Sequence, residues 1–388
     1  MDNERFIEKR LGKMQSKPVG RLGSIASKLD GFIKVAFGDP DFDTPKHIRD
    51  AAVEALNEGW THYPPSRGTL ELREAISEYH SKYGTNWDPA SEVIVTSGSG
   101  TALYVALAGI LDPGDEIIIP EPYYVNYKKI LEYLGAKLVA VPLHEETNFH
   151  PDMDSLKESI TNKTKMILIC TPNNPTGTVW TEDELGEIAE LAIKKDLLVL
   201  SDEIYNEFIW DGLEHSSISK LTGMRERTII CMSFSKTFAM TGWRMGYIMA
   251  DKSICSKLAN IPIDYRPANF IQKAGVAALK GPWTQVEEMA KEYDRRRLYL
   301  GQRLDAIDGI ECKLPEGAFY LFPKIEGTGM TSVEFCENLL SEEKVYAYPG
   351  IAFGELGEYH IRISLIQPLE NLVKVADAFE NLVKNNTH

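Results

Sequence analysis

The chain has 388 residues, 43% of them hydrophobic, and a formal net charge of −15. That length allows two or three domains of roughly 150 residues, or one large α/β domain with an appendage, and it buries a core without staples. Acidic and basic residues are interspersed with no basic stripe, which argues against nucleic acid and anionic membrane as partners.

Cys170, Cys231, Cys255, Cys312 and Cys336 are odd in number, widely spaced and form no Cys-x-x-Cys pair. Reduced, buried thiols in a cytoplasmic protein are therefore expected. The eight histidines show no His-x-x-x-His or His-Glu-x-x-His spacing, so no metal site is expected. The first residues, MDNERFIEKRLGK, are charged and amphipathic and lack the apolar stretch of a signal peptide. No run approaches the ~18 apolar residues of a membrane span.

In chain order, a helix is predicted over 44–57. Apolar runs at 93–96, 116–119, 137–141, 165–170, 197–201, 228–232 and 246–249 then read as strands, rich in Val, Ile and Leu on both faces. Helical patterns at 101–111, 126–134 and 182–194 separate several of them. Alternating strands and helices predict a mainly parallel seven-stranded sheet covered by helices, joined by right-handed crossovers. After about residue 275 the texture becomes α+β. A charged helix covers 283–304, short strands fall near 309–314, 319–323 and 360–365, and a last amphipathic helix covers 369–383. The expected division is a large domain over 46–275 and a smaller α+β domain from 1–45 and 276–388.

Ligands of an open α/β sheet sit beyond the carboxyl ends of its strands, so the residues after each strand matter most. The first is followed by Ser97-Gly98-Ser99-Gly100-Thr101 at a helix start. Such a turn suits a phosphate, and it suits plain tight packing equally well. It is neither the dinucleotide fingerprint nor a P-loop. Later strands end in Thr171-Pro172-Asn173-Asn174-Pro175, in Ser201-Asp202-Glu203-Ile204-Tyr205 and in Ser233-Phe234-Ser235-Lys236, with Arg244 beyond. Asparagine and proline favour turns, and an aspartate at the end of a buried strand needs a cation or several donors. A lysine near a buried site changes its pKa readily and forms Schiff bases. Ser233-x-x-Lys236 also fits penicillin-interacting hydrolases, but the Ser-Asp-Asn and Lys-Thr-Gly elements of that pattern are absent.

These motifs, from Gly38-Asp39-Pro40 to Arg362-Ile363-Ser364, resemble in order and spacing the class I/II aminotransferases, aspartate aminotransferase-like enzymes of PLP fold type I. The resemblance implies pyridoxal 5′-phosphate (PLP) as cofactor, bonded to Lys236, which also shuttles the substrate proton. It implies that Asp202 pairs with the ring nitrogen and that Tyr205 and Asn174 bond the phenolic oxygen. Ser99, Gly100, Ser233, Ser235 and Arg244 would hold the phosphate, and Tyr124 would stack on the ring where tryptophan is common. Tyr63 would reach the neighbouring subunit's phosphate, which implies a homodimer with shared sites. Arg362, with Asn174 and the backbone of Gly38, would take the substrate α-carboxylate, and the Asn174–Pro175 bond is expected to be cis.

The implied reaction is ping-pong transfer of an amino group from an L-amino acid to a 2-oxo acid, 2-oxoglutarate first among them. Aspartate is the expected donor, with aromatic and alanine donors open. A PLP-dependent C–S lyase is the rival on the same site. Arg266 is near the region where a distal carboxylate would bind, and Phe319, Tyr320 and Tyr123 would suit an apolar side chain instead.

Overall fold

The computed structural model describes residues 11, 20–262 and 266–386. Seven apolar runs pair into one sheet: β1 (Val93–Thr96), β2 (Glu116–Glu121), β3 (Lys137–Pro142), β4 (Thr164–Cys170), β5 (Leu198–Asp202), β6 (Thr228–Ser233) and β7 (Gly246–Met249). Their order is β1-β7-β6-β5-β4-β2-β3. β7 runs antiparallel to both its neighbours and every other pairing is parallel. The mixed but mostly parallel α/β sheet is the one the alternation predicts.

Both faces of the central strands are covered, so their side chains alternate between two cores. Ile94, Ile117, Leu168, Leu200, Ile229 and Ile248 point into one apolar cluster with the helices Ser99–Ile110 and Val125–Leu134. Ile118, Ile167, Ile169 and Val199 point into another with Glu182–Lys195. Each fully buried aliphatic side chain contributes about 1.5–3 kcal/mol. Strand β3 departs from the expected pattern: it lies at the sheet edge, and Lys137 and Ala140 are exposed.

Helix Glu182–Lys195 starts at a capping box, Thr181 with Glu184, and stops at Asp196 in a left-handed conformation. Helix Asn269–Lys280 runs through residue 275 and packs on Lys46–Asn57 and Leu70–Ser81. Beyond it, helices Thr284–Asp305 and Leu369–Asn386 pack together. Tyr348–Pro349, Ile361–Ser364 and Tyr320–Leu321 form a three-stranded antiparallel sheet. Ile33–Lys34 pairs in parallel with Val345–Tyr346, tying the N-terminal segment to the C-terminal third. The strand predicted near 309–314 is reduced to one bridge, Glu311 with Lys324. Asp305 binds the Cys312 amide at 2.9 Å and Pro315 follows, so no further ladder forms. Among the described residues no helix is long and apolar enough to cross a membrane.

Candidate active site

The carboxyl ends of β1, β4, β5 and β6 converge. At the end of β1, Gly98 takes φ +87°, and the helix Ser99–Ile110 starts on it. A Cβ there would lie 2.5 Å from an Arg244 guanidinium nitrogen, so the turn and that side chain are in direct contact. Gly246 closes the other flank: its Cβ would sit 2.6 Å from the Met232 carbonyl and 2.8 Å from the Ser99 amide. Arg244 itself is left-handed, φ 52°, and donates to the Thr241 carbonyl at 2.9 Å. Ser233 and Ser235 are buried beside it, the Ser235 amide donating to Ser233 Oγ at 3.2 Å. Two hydroxyls, a guanidinium and a helix N-terminus make a seat for a dianion.

Asp202 ends β5, with Cys170 of β4 and Cys231 of β6 in register on either side. It is 1% exposed, and burial pushes its carboxyl up to about 6. Oδ2 accepts from the Tyr127 hydroxyl at 2.6 Å, while Oδ1 is buried without a partner. Lys236 follows β6, near enough for its charge and that of Asp202 to act on each other. Burial, then the Arg362 charge, bring its amine down to about 8, and Nζ donates to the Gly38 carbonyl. A lowered lysine pKa and a buried carboxylate with one unpartnered oxygen in one site mark a place where protons are handled.

Around them stands a hydroxyl and amide network. Asn174 Nδ2 donates to the Tyr205 hydroxyl at 3.2 Å, and that hydroxyl meets the Tyr320 hydroxyl at 2.9 Å. Asn174 Oδ1 accepts from Arg362 Nη1 at 3.0 Å, and Arg362 Nη2 donates to the Ala36 carbonyl. Arg362 Nε is buried and unpartnered. Tyr320 and Phe353 flank the guanidinium, with ring centres 4.6 and 4.7 Å away. Glycine is needed at 38, because a Cβ would run into the Tyr320 hydroxyl. The Asn174–Pro175 bond is cis, as expected.

Tyr124 is half-buried, its ring edge-on to Tyr127 with centres 5.4 Å apart. Tyr63 is 89% exposed, so a single chain leaves it at the surface. Arg266 donates to the Pro64 carbonyl at 3.2 Å, beside the Tyr63 segment. Sequence reasoning passed over Tyr127 and did not place the hydroxyl of Tyr320. Tyr127 lies one helical turn from Tyr124 on Val125–Leu134, and that spacing is the signal for it. Tyr320 was considered for the substrate side chain, yet its hydroxyl belongs to the Tyr205 network.

The chain and its fold have relatives. Residues 30–379 match the family described as aminotransferase class I and II, and the chain belongs to that family. It is 42% identical to aromatic-amino-acid aminotransferase 2 of Thermococcus litoralis, with 97% of this chain and 98% of that protein covered. It is 43% identical to the aspartate aminotransferase of Pyrococcus abyssi, with 97% of each covered. The crystal structure of an aromatic aminotransferase from Pyrococcus horikoshii matches with a TM-score of 0.89 at 43% identity, covering 94% of this chain and 99% of that one. The protein is a transaminase acting on amino acids, with the PLP fold type I architecture.

Proposed function

We propose that the enzyme binds PLP through Lys236 and moves an amino group from aspartate to 2-oxoglutarate by a ping-pong mechanism, as a cytoplasmic homodimer. The observation that carries the reading is that Asp202 and Lys236 follow neighbouring strands closely enough for their charges to act on each other, with one Asp202 oxygen buried and unpartnered. That oxygen fits a protonated ring nitrogen, and the Gly98–Arg244 contact fits a phosphate.

In this reading Ser99, Gly100, Ser233, Ser235 and Arg244 hold the phosphate, Tyr124 stacks on the ring, and Asn174 and Tyr205 donate to the phenolic oxygen. When bound, PLP supplies an electron sink for the charge left when the substrate Cα loses its proton. Asp202 keeps a proton on the ring nitrogen. Lys236, partly unprotonated near neutral pH, would take the Cα proton and, with the cofactor bound, would pass it to C4′. Arg362, helped by Asn174 and the Gly38 backbone, grips the α-carboxylate in the bidentate geometry that a guanidinium offers.

Tyr63 would complete the phosphate site of a second copy. Its exposure, together with that of Val53, Leu56, Trp60 and Leu70 in the same stretch of chain, supports a homodimer. The reading also divides the chain into a large domain, 46–275, and a small one, 1–45 with 276–388. The Ile33–Lys34 pairing with Val345–Tyr346 supports joining the two ends, and helix Asn269–Lys280 runs across the proposed junction.

The Pyrococcus abyssi aspartate aminotransferase supports aspartate as donor, with Arg266 as the candidate for its distal carboxylate. An aromatic donor is the second reading, favoured by the rings of Tyr320, Tyr348 and Phe353 around Arg362. Single amino acids added without an oxo acid decide the matter. Aspartate should move the cofactor's visible absorbance to its amino form fastest. A panel in which no amino acid does so, or in which ammonia and pyruvate accumulate instead, overturns transamination.

A further inference from the structure

Directly after Asp202, the side chain of Glu203 enters a closed polar knot. It is 0% exposed. Its Oε1 accepts from Ser201 Oγ at 2.9 Å and from Ser217 Oγ at 2.8 Å, and its Oε2 meets His215 Nε2 at 3.0 Å. The His215 ring packs edge-on against Tyr83, centres 5.0 Å apart. His80 lies close by, but burial pushes its imidazole down to about 3 and leaves it neutral. Burying a carboxylate costs several kcal/mol, and an apolar side chain of the same volume often replaces a buried ion pair without loss. Packing alone therefore does not account for Glu203.

Its partners lie on the two sides of one excursion. Ser201 precedes the segment 204–214, while His215 and Ser217 follow it, so Glu203 ties the departure of this segment to its return. The segment carries Tyr205 into the site. It also holds the chain that bears Tyr320: Ile209 bridges to Gly317, the Ala318 amide donates to the Phe208 carbonyl at 2.8 Å, and the Trp210 amide donates to Glu316 at 2.8 Å. The Tyr205 and Tyr320 hydroxyls then meet at 2.9 Å. One buried carboxylate thus sets the base of a segment from which two site hydroxyls are placed.

We propose that Glu203 and His215 are positioning residues for the transamination, holding the 204–214 segment so that the Tyr205 hydroxyl stands at the cofactor's phenolic oxygen. The inference rests on the reading of Tyr205 given above. A hydrogen bond from Tyr205 stabilises the ionised oxygen, so loosening the segment raises the pH at which the bound cofactor's visible absorbance titrates.

The test uses the holoenzyme and the variants Glu203→Gln, His215→Gln, Ser217→Ala and Tyr205→Phe. Asp251→Ala is the stability control: Asp251 caps the helix Lys252–Leu258 through the Ser253 amide at 2.8 Å and has no part in the site. Glu203→Gln and His215→Gln should raise the titration midpoint by about half a unit, in the direction of Tyr205→Phe, and lower kcat about tenfold with KM little changed. Ser217→Ala removes one donor and no charge, and should give a smaller shift of the same sign. If Glu203→Gln and Ser217→Ala lower Tm as Asp251→Ala does, yet keep the wild-type midpoint and kcat, the positioning role is wrong. Should Glu203→Gln fail to fold, Ser217→Ala decides alone. If Tyr205→Phe leaves the midpoint unmoved, the assignment of Tyr205 to the cofactor fails, and the inference goes with it.

Discussion

Tyr127 donates its hydroxyl to Asp202 at 2.6 Å, and the same ring stands edge-on to Tyr124. One phenol therefore fixes the carboxylate rotamer that leaves Oδ1 free, and it braces the ring that would stack on the cofactor. Tyr127→Phe keeps the brace and removes the donor. A charge-assisted hydrogen bond is worth about 1.5–3 kcal/mol, so kcat/KM should fall roughly 10- to 100-fold and the cofactor should dissociate faster. Steady-state kinetics and the rate of cofactor loss on dilution check this.

Lys236 is the group whose removal should cost most. Lys236→Ala should lose at least about 10³ in turnover while still binding PLP non-covalently. The wild-type amine, brought down to about 8 by burial, reacts only when unprotonated. Covalent attachment of PLP to the cofactor-free protein should therefore speed up as pH rises through about 8 and level off above. A rate that falls over that interval contradicts the assignment of this amine.

Arg362 is held between rings and carbonyls that suit a planar fork. Arg362→Lys preserves the charge but loses the fork and the stacking. The KM for the amino acid should rise about 10- to 100-fold, with a smaller change in kcat. A variant that binds the amino acid normally would mean that the carboxylate is gripped elsewhere.

His150 joins two carboxylates, Glu184 at 2.8 Å and Glu316 at 3.2 Å, and so ties helix Glu182–Lys195 to the chain leading into Tyr320. Its hydrogen bonds to Glu184 and then to Glu316 raise the imidazole from 6.5 to about 10. A raised histidine pKa stabilises the fold fully below pH 6.5, and the contribution disappears as pH climbs to about 10. Wild type should therefore melt a few degrees above His150→Asn at pH 6, with the gap closing towards pH 10. Thermal melts across that range read the difference directly.

The sheet was legible because strands buried on both faces must be apolar without interruption, and all seven runs appear within two residues of their predicted ends. The strand-end residues were legible for a related reason: Asp202, Lys236 and Asn174 are polar groups at positions where polarity is costly. Partnerships across the chain were not. Tyr127 looks like an ordinary helix aromatic until the fold sets it against Asp202. Glu203 looks like a neighbour of the important residue until Ser217 and His215 return to it. Helix Asn269–Lys280 went unpredicted because its mixed pattern carries no clear start signal: Ala268 at its N-cap offers no side-chain oxygen.

The strip of backbone from Val35 to Gly38 ends in a shared dependency. Ser364 pins it at the Val35 and Phe37 carbonyls, Arg362 leans on Ala36, and Lys236 leans on Gly38. The guanidinium proposed to grip the substrate and the amine proposed to work on it therefore rest on peptide oxygens two residues apart. In the proposed reading, a carboxylate that drew Arg362 off Ala36 would act on the same strip of backbone that supports Lys236. If the proposed roles hold, recognition and chemistry would be linked through the four residues from Val35 to Gly38.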